Sequence, residues 1–487
     1  MLFSSLTFLY AFLPLSLLLY AMCRTLKERN FVLLVTSLAF YAWADPKYVV
    51  LLVFTCFFDW FAGRRIDWAG GLARKLWLGA AVIVNVGLLV FFRYAKLLGG
   101  LTANVPEFIK DVFLPLGIAF YTLQLISYLV DVYRGDVAAE GNPLRILLFA
   151  GLYHQCLAGP IVRYRDIHHE LFVKRSANAS IADGVKRFAW GLGKKVLLAN
   201  ACAALADKLL LTDAAINGGQ SLAQNVSYVQ SLPVAALWIG MLAFTLRIYL
   251  DFSAYSDMAI GLGLMLGLHY PENFRHPYIS CSVTEFWQRW FLSLSSFFRD
   301  YVYAPLGGSG KGVFRMIVNL LIVWALTGLW HGPSWTYALW GVYFFAFLMI
   351  ERLFTGELLE RLPKPVSWFI TFFIVLIGWT IFKFNDMSLL LAVFKGMLGL
   401  NGNPLTSSAV NTLALNSIFL IVVSAIVCTP LLLRIGERIS DRGDYSITLK
   451  KTWNFVSCSL IPVILLLLST AMLVGGGSYT PLIYFNF

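Results

Sequence analysis

Long apolar stretches alternate with short basic ones along this chain, a pattern that predicts a series of membrane-spanning helices. The apolar runs lie near residues 5–22, 30–43, 48–62, 77–92, 112–132, 196–211, 232–250, 314–330, 335–350, 366–382, 413–433 and 452–474. A helix needs about 20 mainly apolar residues to cross the hydrocarbon core, and some of these runs are shorter, so the pattern predicts about 11 or 12 spans. Residues 2–22 lack a basic leading segment and a cleavage site, and they read as a retained first span rather than a removed signal peptide.

The chain has 487 residues, of which 59% are hydrophobic and 13% charged, whereas a soluble domain carries about 25% charged residues. It is therefore expected to be a polytopic membrane protein. A net charge of +12 in a soluble protein would raise nucleic acid as a partner. Here the basic residues collect between apolar runs, where Lys and Arg set orientation, so nucleic acid is not an expected partner. The groups are Arg24, Lys27 and Arg29; Arg64, Arg65, Arg74 and Lys75; Arg163, Arg165, Lys174 and Arg175; Lys186, Arg187, Lys194 and Lys195; and Arg434, Arg438, Arg442, Lys450 and Lys451. Placing all of them in the cytoplasm puts the N-terminus outside. Residues 212–231 and 401–412 contain no Lys or Arg and read as external loops. Cys23, Cys56, Cys156, Cys202, Cys281, Cys428 and Cys458 are scattered without metal-ligand spacing. No repeat or linker divides the chain, so residues 1–487 are expected to form one membrane-embedded domain.

Between about residues 247 and 312 the apolar pattern breaks. Arg247, Asp251 and Asp257 interrupt a hydrophobic stretch. Arg247 and Asp251 are spaced i,i+4, which brings them to one helix face where they can neutralise each other; a polar cavity wall is the other reading. His269-Tyr270-Pro271 and His276-Pro277-Tyr278 then force extended or turn geometry. His269 and His276 have no acidic or cysteine partner at ligand spacing, so no metal is expected there. Residues 284–303 read as one amphipathic helix, with Trp287, Trp290, Phe291, Leu294 and Phe298 on its apolar face and a Glu285–Arg289 i,i+4 pair. Gln288, Ser295 and Arg299 fill its polar side. Such a helix can lie in the headgroup boundary or roof a cavity with its arginines toward an anionic ligand. Pro305-Leu306-Gly307-Gly308-Ser309-Gly310-Lys311-Gly312 is a glycine-rich turn without the spacing of a phosphate loop.

The sharpest chemical feature is Trp330-His331-Gly332-Pro333-Ser334-Trp335, set between two apolar runs. An ionisable side chain at membrane depth costs about 2.5–3.5 kcal/mol on insertion scales unless it faces a cavity or a partner. An imidazole titrates near neutral pH and can act as a general base. The same histidine could instead satisfy a carbonyl and hold two helices together. The residues alone leave both readings open.

Taken together, these pieces resemble the membrane-bound O-acyltransferase (MBOAT) family, in its bacterial branch that includes the alginate O-acetyltransferase membrane subunit. The resemblance runs from about residue 30 to 487. It is carried by Pro115-Leu116-Gly117-Ile118-Ala119-Phe120-Tyr121-Thr122 with Ser127-Tyr128 and Asp131, and by Ala158-Gly159-Pro160-Ile161. It continues through Asp251-Phe252-Ser253-Ala254-Tyr255-Ser256-Asp257, Asn273-Phe274 and Pro277-Tyr278. The most specific pieces are Glu285-Phe286-Trp287-Gln288-Arg289-Trp290, Phe298-Arg299-Asp300-Tyr301, Pro305-Leu306-Gly307-Gly308 and the Trp330–Trp335 motif; Tyr479-Thr480-Pro481 and Ile483-Tyr484-Phe485 also fit.

The resemblance implies an all-α polytopic membrane fold, with re-entrant and amphipathic helices around a central cavity. Residues 247–335 would carry the active-site core, with His331 as the catalytic residue deep in a tunnel. Trp330, Trp335, Asp251, Asp257, Asn273, Glu285, Gln288, Arg289, Arg299 and Asp300 are expected to line or support the cavity. The implied reaction takes acetyl groups from a cytoplasmic donor, acetyl-CoA, with no bound cofactor and no metal. It passes them to a periplasmic partner that modifies an exopolysaccharide, and the protein would sit in a bacterial inner membrane with its N-terminus periplasmic. His331 would deprotonate an acceptor hydroxyl or carry the acyl group briefly. The sequence departs from the family at Phe291, where the bacterial branch usually has a second histidine; Gln288, one turn earlier in the expected helix, is the candidate substitute.

Two readings from other classes compete. A transporter or flippase would account for intramembrane Arg247, Asp251 and Asp257, although inverted repeats with paired broken spans are not visible. A scaffold of an exopolysaccharide-modifying complex would account for Phe291. Within acyl transfer, the related D-alanyl branch uses an acyl carrier protein as donor.

Overall fold

In hydrocarbon no water is present to satisfy backbone N–H and C=O groups, so apolar segments have to satisfy them within helices. The computed structural model describes residues 2–100, 114–157, 159–176, 180–310, 312–443 and 447–476, and these are helix, turn and loop with no strand among them. Ala158, Lys311, the start of the 112–132 run and the terminal 479–485 pieces of the family resemblance lie outside the described residues. Among the described residues, seven helices are long and apolar enough to cross a bilayer: Gly71–Ala95, Val234–Met265, Val313–His331, Trp335–Thr355, Lys364–Lys383, Ser408–Val427 and Lys451–Val474. The other expected runs also form helix, but they are shorter, like Phe8–Met22, or carry several charges, like Pro46–Trp68.

The chain groups into two compact units. The first comprises Met1–Phe188, Tyr255–Asn273 and Ser296–Pro305; the second comprises Ala189–Ala254, Phe274–Ser295 and Leu306–Phe487.

In the first unit, α1 (Leu13–Met22), α2 (Leu26–Ala44), α3 (Pro46–Trp68), α4 (Gly71–Gly100), α5 (Ile118–Arg134), α6 (Pro143–Gly151) and α7 (Tyr164–Phe172) follow in order. A Thr25–Glu28 capping box starts α2. Nearly every residue of α5 is buried, which makes it the core helix of this unit. Asp59 of α3 accepts from the Asn85 side-chain amide of α4 at 2.8 Å, which ties these two helices together through buried polar groups.

The next helix, α8 (Ile181–Gly193), contributes its first part to the first unit and its last residues to the second. The second unit then holds α9 (Asn200–Leu209), α10 (Leu222–Ser231) and most of α11 (Val234–Met265). After α12 (Val283–Trp287) and α13 (Leu292–Phe298) come α14 (Val313–His331), α15 (Trp335–Ile350), α16 (Lys364–Lys383), α17 (Met387–Met397) and α18 (Ser408–Val427). α14 and α15 form a tight hairpin. Added Cβ atoms at Gly328 and Gly341 would lie 2.6 Å from the carbonyl oxygens of Tyr337 and Trp324, so only glycine permits this crossing. The two segments expected on the outside meet: Asn401 and Asn403 donate to the Leu232 carbonyl at 3.1 and 3.0 Å.

Two local expectations are corrected. Arg247 and Asp251 do not pair with each other. Arg247 bonds Asp213 at 2.8 Å, and Asp251 bonds Lys195 at 2.7 Å. The i,i+4 step permits a pair, but each buried charge takes an opposite charge from a separate segment. Residues 284–303 are also not one helix. They break after α12, and Phe291 adopts φ 44°, a left-handed conformation uncommon for bulky residues. The break redirects the chain, so the apolar side chains of 286–291 pack into a helical bundle instead of lying along a membrane surface.

Glu351 fixes the start of α12, accepting from the backbone of Val283 at 3.1 Å and Thr284 at 2.7 Å. From there the segment passes Phe344 (4.9 Å from Trp287) and Trp379 (4.8 Å from Trp290), and reaches Trp330 at Phe291 (6.5 Å between rings). Glu351 and Trp330 mark opposite ends of the α14–α15 hairpin, so this stretch is re-entrant.

The Lys195–Asp251 pair is almost fully buried, at 3% and 1% side-chain exposure. Removing one member takes from the other's buried charge a counter-ion at 2.7 Å, a loss of about 3–5 kcal/mol. Lys195→Ala is therefore expected to lower membrane expression and melting temperature sharply, while Lys195→Met with Asp251→Leu recovers most of the loss. Expression and thermal unfolding in detergent measure both.

Candidate active site

His331 is the last residue of α14 and is half-buried. The chain turns immediately after it at Gly332 with φ 153° and ψ 177°, a backbone state open essentially to glycine alone. Ser334 then caps α15: its hydroxyl accepts from the Thr336 N–H at 3.2 Å and donates to the Asn385 carbonyl at 2.5 Å. These contacts fix the turn and therefore the imidazole. Its ring stands edge-on to Trp340 (5.2 Å) and Phe382 (4.9 Å), and lies beside Trp330 (5.0 Å) and Tyr337 (6.2 Å). Trp287, Trp324, Phe344 and Trp379 continue the aromatic cluster away from the histidine.

An ionic cluster anchors the same end of the unit. Lys383, directly after Phe382, places its ammonium 3.2 Å from Asp213 and 4.8 Å from the centre of the Phe244 ring. Arg247 takes the other oxygen of Asp213 at 2.8 Å. Burial alone would raise the Asp213 pKa, but the Lys383 and Arg247 charges outweigh it and hold the carboxyl at about 2. Asn217 and Asn385 bond at 3.1 Å. His331 thus sits at the end of the bundle that carries the 212–231 loop.

The expected site residues fall into separate groups. Trp330 (buried), His331 and Phe291 come together in the second unit. Glu285 and Arg289 pair there at 2.8 Å, and Arg289 also donates to the Arg275 carbonyl at 3.1 Å, closing the re-entrant loop. Asp251 is committed to Lys195. In the first unit, Asp257 pairs with Arg187 at 2.6 Å, Asp300 with Arg163 and Arg299 at 2.7 Å each, and Asn273 is buried. His269, for which no acidic partner was visible in the sequence, bonds Glu170 at 2.9 Å.

Two expected site residues lie at the surface of the chain. Trp335 is 81% exposed, in the first turn of α15. Gln288 caps the end of α12 and is exposed, so it does not lie a helical turn behind Phe291 and cannot stand in for an imidazole. The sequence reading missed Tyr337, Trp340 and Phe382 as neighbours of His331, and Lys383 as its anchor. The lysine had a signal, since it closes the 366–382 apolar run.

A bundle of apolar helices, a re-entrant segment and a fixed imidazole among aromatic rings define a polytopic membrane protein with an intramembrane histidine site. Residues 140–385 match MBOAT, the membrane-bound O-acyltransferase family. The protein named probable alginate O-acetylase AlgI in Pseudomonas aeruginosa is 37% identical, over 85% of this chain and 80% of that protein. Its namesake in Azotobacter vinelandii is 34% identical over the full length of both. A Helicobacter pylori protein named peptidoglycan O-acetyltransferase is 32% identical, over 82% of this chain and 80% of its own. The chain belongs to the membrane-bound O-acyltransferase family and is an O-acyltransferase.

Asp213 has a depressed pKa, so its stabilising contribution is complete above the ordinary carboxylate range and fades only as pH falls toward about 2. Asp213→Asn is therefore expected to lower the melting temperature by the same amount at pH 5 and pH 8. A loss that shrinks at the lower pH would contradict the assigned charge state.

Proposed function

We propose that this chain moves acetyl groups from a cytoplasmic donor, acetyl-CoA, across a bacterial inner membrane for O-acetylation of an exopolysaccharide such as alginate or cellulose. The proposed recipient is a periplasmic acetyltransferase-type protein that finishes the modification, and the N-terminus is placed in the periplasm. His331 takes the proton from the acceptor hydroxyl as its oxygen attacks the acyl carbonyl.

The observation that carries this reading is the setting of His331. An imidazole costly to place in a membrane is held by a glycine turn, a capping serine and four surrounding rings, at the end of the bundle opposite Glu351. Full-length similarity to proteins named alginate O-acetylase supports the substrate class. The two lysine- and arginine-free segments meet each other near that same end, which supports placing it outside. The transport reading loses its support, because Arg247, Asp251 and Asp257 are each held by an opposite charge within 2.8 Å.

His331→Ala is expected to abolish O-acetyl ester on the secreted polymer at matched membrane expression, with polymer secretion unchanged. Phe291→Ala is expected to retain transfer. Acetylation that survives the first substitution, or is lost only in the second, would move the site away from His331.

A further inference from the structure

We propose that the indole N–H groups of Trp340, which stands against His331, and of Trp287, which packs on Trp340, are the donors that hold the carbonyl oxygen of the acyl group. The inference rests on the acyl-transfer reading and names how this site recognises the group it moves.

Buried tryptophan N–H groups ordinarily find an acceptor. Trp238 donates to the Met397 carbonyl at 2.9 Å and Trp368 to the Tyr278 carbonyl at 2.8 Å, whereas the Trp379 nitrogen, in the same cluster, shares the unpartnered state of Trp287 and Trp340 but stands one ring further from the transfer step proposed here. Trp287 and Trp340 differ from Trp238 and Trp368. Their indole nitrogens are shut off from solvent, and neither meets an acceptor among the described residues. Trp340 is 1% exposed. The two rings are 5.6 Å apart at 84°, and Trp340 is 5.2 Å from His331 at 81°. Their other neighbours include Trp324, Phe344 and Phe382, side chains with no oxygen to offer.

A ligand that satisfies two such donors brings a neutral oxygen with two lone pairs. A carboxylate or phosphate would carry its charge into a dry aromatic region and meet a large desolvation penalty. An acyl thioester or ester carbonyl meets the requirement. Both donors are also held in place before any ligand arrives. Trp287 closes the short helix pinned by Glu351 through Val283 and Thr284, and Trp340 lies mid-helix in α15. Fixed donors aimed at developing charge are the most effective form of electrostatic catalysis.

The transfer step balances as follows. The acceptor hydroxyl oxygen bonds to the carbonyl carbon while its proton passes to the His331 imidazole. The carbonyl electron pair moves onto the oxygen held by the two indoles. Collapse of that intermediate breaks the bond to the thioester sulfur, and the departing thiolate takes the proton back from the imidazolium.

The test replaces the indole at position 340, and separately at 287, with the isosteric benzothiophene side chain, which has sulfur in place of N–H. Trp340→Phe and Trp287→Phe serve as encoded controls. O-acetylation of the exopolysaccharide is measured at matched membrane expression, with melting temperature in detergent monitored for each variant. Loss of one such donor is expected to slow transfer about 100-fold with the melting temperature unchanged. Wild-type acetylation with benzothiophene at both positions, while His331→Ala is inactive, would overturn this inference alone and assign the two N–H groups to the faces of neighbouring rings. Activity in His331→Ala would overturn the reading on which it rests.

Discussion

Inside a bilayer no water takes up a stray donor, acceptor or charge, and the internal layout of this protein follows from that constraint. In the second unit, buried charges are held by partners from distant parts of the sequence: Asp251 by Lys195, and Arg247 and Lys383 by Asp213. Such pairs add little net stability over a well-packed apolar alternative, because desolvation offsets most of their attraction. What they impose is correspondence. The end of α16, the segment after α9 and the middle of α11 can be buried together in one way only, with Asp213 between two cations. The turn that carries His331 is fastened to that arrangement through Ser334 and Asn385.

Against this background the departures from polar satisfaction are informative. Of the unpartnered indoles, Trp340 lies against His331, and Trp287 packs on Trp340. Phe291 is the second departure, since a phenylalanine at φ 44° occupies a left-handed backbone state that bulky residues seldom adopt. Its ring packs among Phe274, Phe252 and Trp330, so the family's usual second imidazole is replaced by one more apolar wall. On the proposed reading, proton transfer then falls to His331, and any group that polarises the acyl carbonyl has to come from elsewhere in the cluster. The indole donors occupy that role without adding a titratable group.

Much of the fold was legible because apolar run length and basic loop placement are both dictated by the bilayer. The helices Val313–His331, Trp335–Ile350 and Lys364–Lys383 lie within a few residues of the runs read from the pattern. The tryptophan-flanked histidine was likewise visible as an anomaly of composition. Pairing was not. Spacing along one helix made Arg247 and Asp251 look like partners, yet a buried charge responds to whatever opposite charge the tertiary fold delivers, and Lys195 and Asp213 arrive from other segments. Helix periodicity also failed over 284–303, where Glu351 and the left-handed turn at Phe291 override a regular apolar face. Trp335 and Trp340 look alike in sequence, and only packing separates an outward indole from one that touches the histidine.

The position of the aromatic cluster bears on what crosses the membrane. The re-entrant segment is anchored at the Glu351 end, and His331 lies at the other end with the cluster between them. Rings without charged neighbours form a poor path for a nucleotide or any polyanionic carrier, whose phosphates would lose hydration without compensation. A short neutral acyl chain meets no such penalty, and the unpartnered indoles give its one polar atom somewhere to bind. For the proposed transfer, the donor's charged portion therefore stays at the Glu351 end while its uncharged arm carries the thioester toward His331. In the same proposal the acceptor approaches from the end bounded by the 212–231 and 401–412 loops. Transmembrane passage and chemistry then become a single event, because the carbonyl reaches the imidazole only when it has already traversed the dry part of the protein.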